Sequence, residues 1–330
     1  MISEFKNSEW TVVTSSKELK KTPIRVFFHD VPVVLFRGEN HLCALKDQCP
    51  HRGAPLSMGQ VCNDSIVCPY HGWKFNGAGE HLEMPGNPCF SKTKQDIVQS
   101  YEVAEEAGLI WLRLKSDCVS RRYIPQIHSN YSFYTVTTSI KADIIDISEN
   151  FLDALHTHFV HSGIIRSRNK RRHNCAVTIT NVKDGYQATY IEENQQSGII
   201  SQLFGKHIYK SVGRIRFPGI IEIEYYSSKG IELSTVIYVN KEQGDKCKLI
   251  VRNYLKKQRI PFFMLVSVLF PFQYLAFKQD KLILEELHKS NKEDLLYKPI
   301  ITQYDVMRPY IEKALRNEIC DVKVQHNLML

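Results

Sequence analysis

The chain has 330 residues, of which 43% are hydrophobic, and a formal net charge of +8. This length allows two domains with cores of ordinary size, and the hydrophobic fraction excludes an intrinsically disordered chain. Nine cysteines, an odd number spread thinly, argue against a disulfide framework and predict a reducing, cytoplasmic location. The N-terminus has no basic head followed by an apolar run, so we expect no secretory signal.

Short β-like runs fill the first part of the chain, separated by Asp-Val-Pro and Gly-Glu-Asn turn signals. They cover residues 10–13, 25–29, 31–37 and 41–46, and a last apolar strand is expected at 108–114. This pattern predicts a small antiparallel barrel or sandwich. The polar segment 115–126 is interpreted as a linker, so the predicted domains are residues 1–118 and 119–330.

Two loops of this first domain each contain one Cys and one His. They are Cys49-Pro50-His51-Arg52-Gly53 and Cys68-Pro69-Tyr70-His71-Gly72-Trp73. Thiolate plus imidazole suits either zinc or an iron–sulfur cluster. Zinc sites usually pair Cys with Cys and His with His, so the mixed loops favour a Rieske [2Fe–2S] centre and leave structural zinc as the alternative. The remaining cysteines are expected to be small buried hydrophobic residues: Cys43, Cys62, Cys89, Cys118, Cys175, Cys247 and Cys320.

The segment from Asn150 to His161 contains three histidines within six residues. A helical period places Asn150, Asp153 and His156 on one stripe, with His161 roughly 140° further round. The imidazoles of His156 and His161 can therefore converge only where the helix ends or bends near His161. Two His and a carboxylate form the ligand set of non-haem Fe(II) oxygenases. The alternative is an ordinary amphipathic helix with half-exposed histidines, and His158 is expected to be a packing or surface residue.

Further β-like runs predict an α+β second domain. They lie at residues 131–144, 176–191, 208–216, 220–227, 232–240 and 246–254. Most of the positive charge belongs to this half, and its densest run, 166–172, is predicted to be a solvated loop. Docking of an acidic protein partner is the alternative. We expect no nucleic-acid binding, because no recognition motif accompanies the run.

The apolar stretch Pro261–Phe277 is shorter than a bilayer-spanning helix and contains Pro271 and Gln273. We therefore expect no transmembrane segment. The stretch is predicted to be a buried wall that also lines a hydrophobic substrate cavity, with contact to a membrane surface as a weaker alternative.

With the two Cys/His loops and the 150–161 segment, the chain resembles the oxygenase component of Rieske non-haem iron oxygenases over nearly its full length. The resemblance is to the vanillate O-demethylase and dicamba monooxygenase type. It implies an all-β Rieske domain followed by a helix-grip catalytic domain, an antiparallel sheet plus helices around a substrate cavity. It also implies that Cys49 and Cys68 bind one iron of the cluster, and that His51 and His71 bind the other.

The third ligand of a mononuclear iron has to come from outside the His-rich segment. Asp280 is the candidate, because the segment around it resembles the family's Glu-Asp-Lys-x-x-x-Glu pattern, with Gln279 in place of the first acid. A solvent-facing helical Asp is the alternative interpretation. Asp294 is the second choice as ligand, followed by Glu285 and Glu286.

Two further residues are expected to act beside the proposed ligands His156, His161 and Asp280. Asp153 can orient the ring of His156 and fix its tautomer. The resemblance implies that Asp153 also links to the Rieske His71 of a neighbouring subunit in a homotrimer. Asn150 is expected to line the iron pocket.

The predicted function is the terminal oxygenase of a multicomponent Rieske system. It would use O2 to hydroxylate or oxidatively demethylate a hydrophobic aromatic or polycyclic molecule. The sequence has no nicotinamide-binding Gly-x-Gly-x-x-Gly after a strand, so a separate NAD(P)H-dependent reductase, with or without a ferredoxin, must supply electrons. The alternatives are a Rieske electron carrier, a ring cis-dihydroxylating dioxygenase and a zinc-stabilised binding protein.

Overall fold

The computed structural model describes residues 9–87, 89, 97–115, 122–125, 130–165, 174–193, 208–294 and 296–329. The chain forms two compact units. The first comprises residues 3–124 and 240–245, and the second comprises residues 125–239 and 246–330. The predicted boundary at residue 118 and the predicted loop 166–172 lie outside the described residues.

The first unit is built from short antiparallel strands in three sheets. One sheet has the order β1-β10-β9, a second β2-β3-β4 and a third β5-β6-β7-β8. The strands are β1 (Thr11–Ser15), β2 (Ile24–Phe28), β3 (Val31–Arg37), β4 (Leu42–Lys46), β5 (Gln60–Cys62), β6 (Ser65–Val67), β7 (Lys74–Asn76), β8 (His81–Glu83), β9 (Glu102–Glu106) and β10 (Leu109–Arg113). A single 3-10 turn, Leu56–Met58, precedes β5.

Strand β3 explains why this small unit has a well-packed interior. Successive side chains of a strand point to opposite faces. Val33 and Leu35 pack into one hydrophobic cluster, while Val34 and Phe36 pack into another. All four are fully buried, so β3 is covered on both faces and its sequence is a continuous apolar run rather than an alternating one.

The second unit contains one eight-stranded antiparallel sheet in the order β11-β17-β16-β15-β14-β13-β12-β18. The strands are β11 (Tyr131–Lys141), β12 (Asn174–Val182), β13 (Gly185–Glu192), β14 (Lys210–Arg216), β15 (Ile220–Ser227), β16 (Gly230–Lys241), β17 (Lys246–Lys256) and β18 (Lys323–Met329). The helices are α1 (Ile144–Leu152), α2 (Phe262–Glu293) and α3 (Arg308–Leu315). The predicted α+β class, with an all-β N-terminal part, is confirmed.

Three features of the second unit differ from the prediction. The run 176–191 is a hairpin of two strands, because the chain reverses at Asp184, whose φ of 60° lies in the left-handed region. The strand predicted to reach residue 144 ends at Lys141 and is followed by α1. Strand β18, which pairs with β12 through seven residues near the C-terminus, was not predicted.

Helix α2 is not the buried wall that its apolar sequence predicted. Leu269, Ala276, Asp280 and Leu284 are its buried residues, and their spacing places them on one stripe. Other apolar side chains of its first half are exposed: Phe263, Met264, Val268, Tyr274 and Leu275. The prediction was wrong because α2 offers one face to its unit and leaves the opposite face, equally apolar, uncovered in the described part of the chain.

By length and composition, α2 is the one described helix that could cross a membrane. The helix has 32 residues because it continues past the apolar stretch to Glu293, through residues that include Asp280 and Lys281.

The cysteines outside the two loops divide into two groups. Cys43, Cys175 and Cys247 are buried, as predicted. Cys62, Cys89 and Cys320 are exposed, so that prediction was wrong for them. Cys118 lies outside the described residues.

Candidate metal centres and active site

The two Cys/His loops of the first unit have the same backbone design. In each, the amide of a glycine donates a hydrogen bond to the carbonyl of the Cys four residues earlier, from Gly53 to Cys49 at 2.8 Å and from Gly72 to Cys68 at 3.1 Å. Both glycines have a positive φ, 73° and 70°, a backbone conformation that residues with a side chain rarely adopt. The repeated Gly after each Cys-x-His or Cys-x-x-His therefore closes a tight turn around the ligands.

The loops bury their thiols and expose their imidazoles. Cys49 and Cys68 are 2% and 3% exposed, whereas His51 and His71 lie at the surface with their ring centroids 4.6 Å apart. His51 stacks on Trp73, with 4.7 Å between the centroids and 3° between the ring planes. A group held by all four residues would have a protected sulfur side and an accessible nitrogen side.

Burial is the main electrostatic feature of these loops. It raises the pKa of the Cys49 thiol to about 11, and the adjacent Cys68 thiol adds to the rise. Desolvation lowers the pKa of His51, and the neighbouring His71 lowers it further. The lowered pKa favours the neutral imidazole of His51, the form that binds a metal.

Like ligands of the two Cys/His loops lie together, thiol beside thiol and imidazole beside imidazole. Among the described residues, a group of three potential ligand atoms within 4.8 Å of one another occurs at His156, His161 and Asp280. The two Cys/His loops do not form such a group, although their two thiols are adjacent and their two imidazoles are close. The adjacent thiols and the close imidazoles fit a two-iron cluster with thiols at one iron and imidazoles at the other.

In the second unit, the His-rich segment is not one continuous helix. Helix α1 begins at an N-cap, Asp143, whose side chain accepts a hydrogen bond from the amide of Ile145 at 2.8 Å. It ends at Leu152, and Asp153 has an extended conformation. The predicted helical stripe from Asn150 to His156 was therefore wrong, and so was the predicted end of the helix near His161.

Asp153 explains the early end of α1 and the new turn that follows. Its two carboxylate oxygens accept hydrogen bonds from the amides of Leu155 and His156, at 2.7 and 3.0 Å. A side chain that binds free amides in this way starts a turn. The hydroxyl of Tyr190 on β13 donates to the carbonyl of Leu152 at 2.7 Å, which stabilises the end of α1. The chain then enters a 3-10 turn at His156–His158.

This local course brings His156, His161 and Asp280 together. The Oδ1 atom of Asp280 lies 3.6 Å from Nε2 of His156 and 3.0 Å from Nε2 of His161. That oxygen is buried and has no hydrogen-bond donor in suitable geometry among the described residues. Two Nε2 atoms facing one buried carboxylate oxygen are a donor set that fits a divalent transition-metal ion.

The other ring nitrogen of each His also faces an acceptor. Nδ1 of His161 lies 3.0 Å from Oε1 of Gln279, and Nδ1 of His156 lies 3.5 Å from Oδ2 of Asp153. The contact with Gln279 favours the His161 tautomer that carries the proton on Nδ1, which leaves its Nε2 lone pair directed at the ligand set, whereas Nδ1 of His156 has no hydrogen-bond partner in suitable geometry among the described residues.

The carboxylates control the charge of the site. Burial by itself lowers the pKa of His156, but Asp153 and Asp280 outweigh it and raise that pKa to about 9. Burial raises the pKa of Asp280, and the two imidazoles more than compensate, so its pKa is lowered. The site therefore favours a positive charge, and either a bound metal ion or a proton can provide it.

All three residues line a cavity of about 310 Å³, at the small end of the usual range for ligand pockets. Asn150 and Asp153 also line it, as do apolar side chains of the sheet and of α2, including Val136, Ile223 and Phe277. The cavity wall is thus mainly apolar, with the ligand set at one place on it.

The alternative carboxylates are not part of this group. Asp294 ends α2 and accepts a hydrogen bond from the amide of Leu296. Glu285 accepts from the amide of Lys141, and Glu286 is exposed. His158 is half-buried and lies outside the three-ligand group.

Sequence reasoning missed three supporting residues. Gln279 was treated only as a departure from an acidic pattern, and Tyr190 and Arg308 were not considered. Arg308 on α3 donates to Asp146 and Glu149 on α1 at 2.7 and 2.6 Å. Only the position of Gln279, directly before Asp280, was a signal available in the sequence.

Comparison with known proteins decides what the first unit is. A family model described as the Rieske [2Fe-2S] domain matches residues 9–102. The chain carries a Rieske domain. The match includes both Cys/His loops, and it supports the iron–sulfur cluster predicted from their spacing.

Similar curated proteins include a monooxygenase and the oxygenase component of a demethylase. The chain is 35% identical over 161 residues to 4beta-methylsterol monooxygenase of Methylococcus capsulatus, covering 45% of this chain and 43% of that protein. It is 37% identical over 110 residues to the oxygenase component of dicamba O-demethylase from Stenotrophomonas maltophilia, covering 33% and 32%. The predicted relationship to Rieske oxygenase components is confirmed, although the matched segments span less than half the length of these relatives.

The fold agrees over the whole chain. The structure of NdmA from Pseudomonas putida with caffeine superimposes with a TM-score of 0.80 at 21% sequence identity, covering 98% of this chain and 97% of that one. The Rieske domain and the large antiparallel sheet therefore occur in the order found in a solved relative.

Proposed function

We propose that this chain is the terminal oxygenase of a multicomponent Rieske system. It would use O2, and electrons from a separate NAD(P)H-dependent reductase, to hydroxylate or oxidatively demethylate a hydrophobic aromatic or polycyclic small molecule. The observation that carries the proposal is that His156, His161 and Asp280 converge on the wall of an apolar cavity. A pure electron carrier needs neither the ligand group nor the cavity.

In this proposal His156, His161 and Asp280 hold a mononuclear Fe(II). When bound, the metal supplies the O2 chemistry that amino-acid side chains cannot perform. The protein contributes orientation. Gln279 holds the His161 imidazole in the metal-binding tautomer, Asp153 fixes the turn that carries His156, and the apolar wall excludes water and holds the substrate next to the ligands.

The electron path is proposed to begin at the Rieske loops. Cys49 and Cys68 would bind one iron of the cluster, and His51 and His71 the other. The exposed imidazoles are the accessible side for a reductase or a ferredoxin. By the family resemblance, Asp153 links to His71 of a neighbouring copy in a homotrimer, and a cytoplasmic location suits the reducing partners.

The substrate class follows from the cavity. Its apolar wall favours a hydrophobic molecule, and Asn150 beside the ligand group can contact the reacting end. The sterol and dicamba in the names of the relatives are substrates of those proteins. They support the proposal of a hydrophobic or aromatic substrate for this chain.

The test compares His156→Ala with the matched control His158→Ala, two residues away. Oxygen uptake and product mass are followed with a surrogate reductase and a panel of aromatic and polycyclic compounds. We expect His156→Ala to lose mononuclear iron and substrate-coupled oxygen uptake while the cluster's visible absorption remains. The control should keep iron and uptake.

The competing functions give different results. A Rieske electron carrier would transfer electrons equally well in both variants and would show no substrate-coupled uptake. A ring cis-dihydroxylating dioxygenase would add both oxygen atoms of O2 to the product, which mass spectrometry with ¹⁸O2 distinguishes from the addition of one. A zinc-stabilised binding protein would lack the visible absorption altogether.

A further inference from the structure

Three polar side chains on the wall of the apolar cavity contain buried atoms that the described protein does not satisfy. They are the hydroxyl of Tyr134, Oε1 of Gln273 and Nδ2 of Asn150, and all three residues line the cavity. A buried polar atom without a partner is costly, so such atoms in a cavity indicate the positions of ligand polar groups or ordered water. Asn150 belongs to the metal end, whereas Tyr134 and Gln273 lie elsewhere.

Gln273 lies on the same face of α2 as Asp280. The two residues are seven positions apart, which is two turns and about 10 Å along the helix axis. Ala276 lies between them, is buried, and lines the cavity, so its small side chain leaves room for a ligand to pass from one to the other. Gln273 therefore lies two turns before the proposed iron ligand, about 10 Å along the helix axis.

Tyr134 lies still further from Asp280. Its ring packs on Phe270, with 6.2 Å between the centroids, which places it level with a residue ten positions before Asp280 and about 15 Å along the helix. At the other end, Lys281 donates to the carbonyl of Ser139 on the same strand at 2.8 Å. Strand β11 and helix α2 thus run side by side, with Tyr134 at the end away from the metal ligands.

The wall around Tyr134 is mainly apolar, with Leu233 and Leu269 packed beside its ring, and the polar groups near it are uncharged. Asn253, opposite Tyr134 in the sheet, accepts a hydrogen bond from Thr235 at 2.8 Å, and both line the cavity. Among the described residues on the cavity wall there is no Lys or Arg, and the charged or ionisable metal-binding groups are at the other end. Burial raises the pKa of the Tyr134 hydroxyl, which keeps it protonated as a donor at neutral pH.

We propose that Tyr134 and Gln273 form a subsite for an uncharged hydrogen-bonding group, a hydroxyl or amide, at the end of the substrate remote from the oxidised carbon. This inference rests on the proposed function, because that function places the oxidised carbon of the substrate at the metal end of the cavity. A hydroxyl there donates to Oε1 of Gln273 and accepts from Tyr134. A carboxylate is rejected, because it would be buried without a cation and would face an acceptor oxygen.

The experiment measures binding by calorimetry to the full-length holoprotein, without reductase, using three probes of similar shape. They are biphenyl, 4-hydroxybiphenyl and biphenyl-4-carboxylate. We expect 4-hydroxybiphenyl to bind about tenfold tighter than biphenyl, the effect of one or two buried hydrogen bonds, and the carboxylate to bind more weakly than either. Equal affinity for the three probes, tightest binding of the carboxylate, or binding of none of them would overturn the proposal.

Variants locate the effect. Tyr134→Phe and Gln273→Leu should each reduce the preference for 4-hydroxybiphenyl to about threefold or less. Tyr131→Phe is the matched control on the same strand, because the Tyr131 hydroxyl donates to the carbonyl of Ile231 and does not line the cavity. The control should keep the tenfold preference. A preference that survives both subsite variants would also overturn the assignment.

Failure of this inference can be told apart from failure of the proposed function. Binding selectivity is measured without reductase or turnover, and oxygen uptake is measured separately. Selective binding without substrate-coupled oxygen uptake would leave the subsite in place and remove the oxygenase. Oxygen uptake without selective binding would do the reverse.

Discussion

Gln279 contacts one proposed iron ligand from the helix that provides another. Its Oε1 lies 3.0 Å from Nδ1 of His161, and the next residue is Asp280. One residue pair on α2 therefore both orients an imidazole and completes the ligand set. The family pattern has an acid at the position of Gln279, and a neutral acceptor keeps the hydrogen bond while adding no negative charge beside a buried carboxylate.

Replacing Gln279 by Leu should lower Fe(II) affinity by about 10- to 100-fold, the usual effect of removing the hydrogen-bond partner of a metal-binding His. The measurement is an anaerobic Fe(II) titration of protein depleted of mononuclear iron, with the cluster's absorption as an internal reference. Gln279→Glu is the matched control, since it retains an acceptor for Nδ1 and should stay close to wild-type affinity. Equal Fe(II) affinity in the Leu variant and the wild type would show that His161 is oriented by packing alone.

At the scale of elements, contacts on two sides fix α1, the helix that directly precedes Asp153. Tyr190 on β13 binds the carbonyl at its last residue, and Arg308 on α3 binds its outer face. Burial lowers the pKa of Arg308, but Asp146 and Glu149 outweigh it and raise it, so the guanidinium remains charged. Burial also raises the pKa of Glu149, although Arg308 opposes this. The contact therefore depends on both partners.

Arg308→Met should destabilise the second unit by about 1–3 kcal/mol, because two partly buried carboxylates lose their cation. The comparison is with Arg316→Met, just after α3, where the guanidinium is half exposed and 3.9 Å from Glu312; its effect should stay within about 0.5 kcal/mol. Denaturant unfolding followed by circular dichroism measures both. Similar losses in the two variants would mean that Arg308 acts only as one more surface charge.

At the scale of the whole molecule, the two candidate metal sites belong to separate compact units. The cluster ligands are in the unit of residues 3–124 and 240–245, and the three-ligand group is in the other. Their protection differs as well. The two thiols are almost fully buried, while the ligand group lines a cavity and His156 has 17% of its side chain exposed.

A ferrous chelator should therefore remove the mononuclear iron first. We expect oxygen uptake to disappear while the visible absorption and the electron paramagnetic resonance signal of the cluster persist, and added Fe(II) to restore uptake. Zn(II), which binds the same ligands but has no redox chemistry, should block that recovery. Parallel loss of cluster signal and uptake would contradict independent sites.

The sequence by itself determined the elements whose signals are local. The paired Cys and His of the two loops predicted the Rieske centre, and the short β-like runs with turn signals between them predicted the antiparallel strands of the first unit. Asp280 was chosen over Asp294 by the resemblance to a known pattern rather than by its own surroundings; the structure places it beside His156 and His161, and its role as a ligand stays a prediction. These features depend on the spacing of residues along the chain, which can be read from the sequence alone.

Only the tertiary structure decided the rest, because it depends on contacts between distant segments. Helix α1 ends at Leu152 because the Asp153 side chain accepts hydrogen bonds from two backbone amides that follow it. Tyr190, 38 residues later, donates a hydrogen bond to the last carbonyl of the helix. The apolar stretch of α2 was predicted to be a buried wall that lines a cavity; part of it does line the cavity, yet the unit buries only one stripe of the helix. The contact between Gln279 and His161 joins two segments that are far apart in the sequence. The same is true of Tyr134 and Gln273, which line the same cavity.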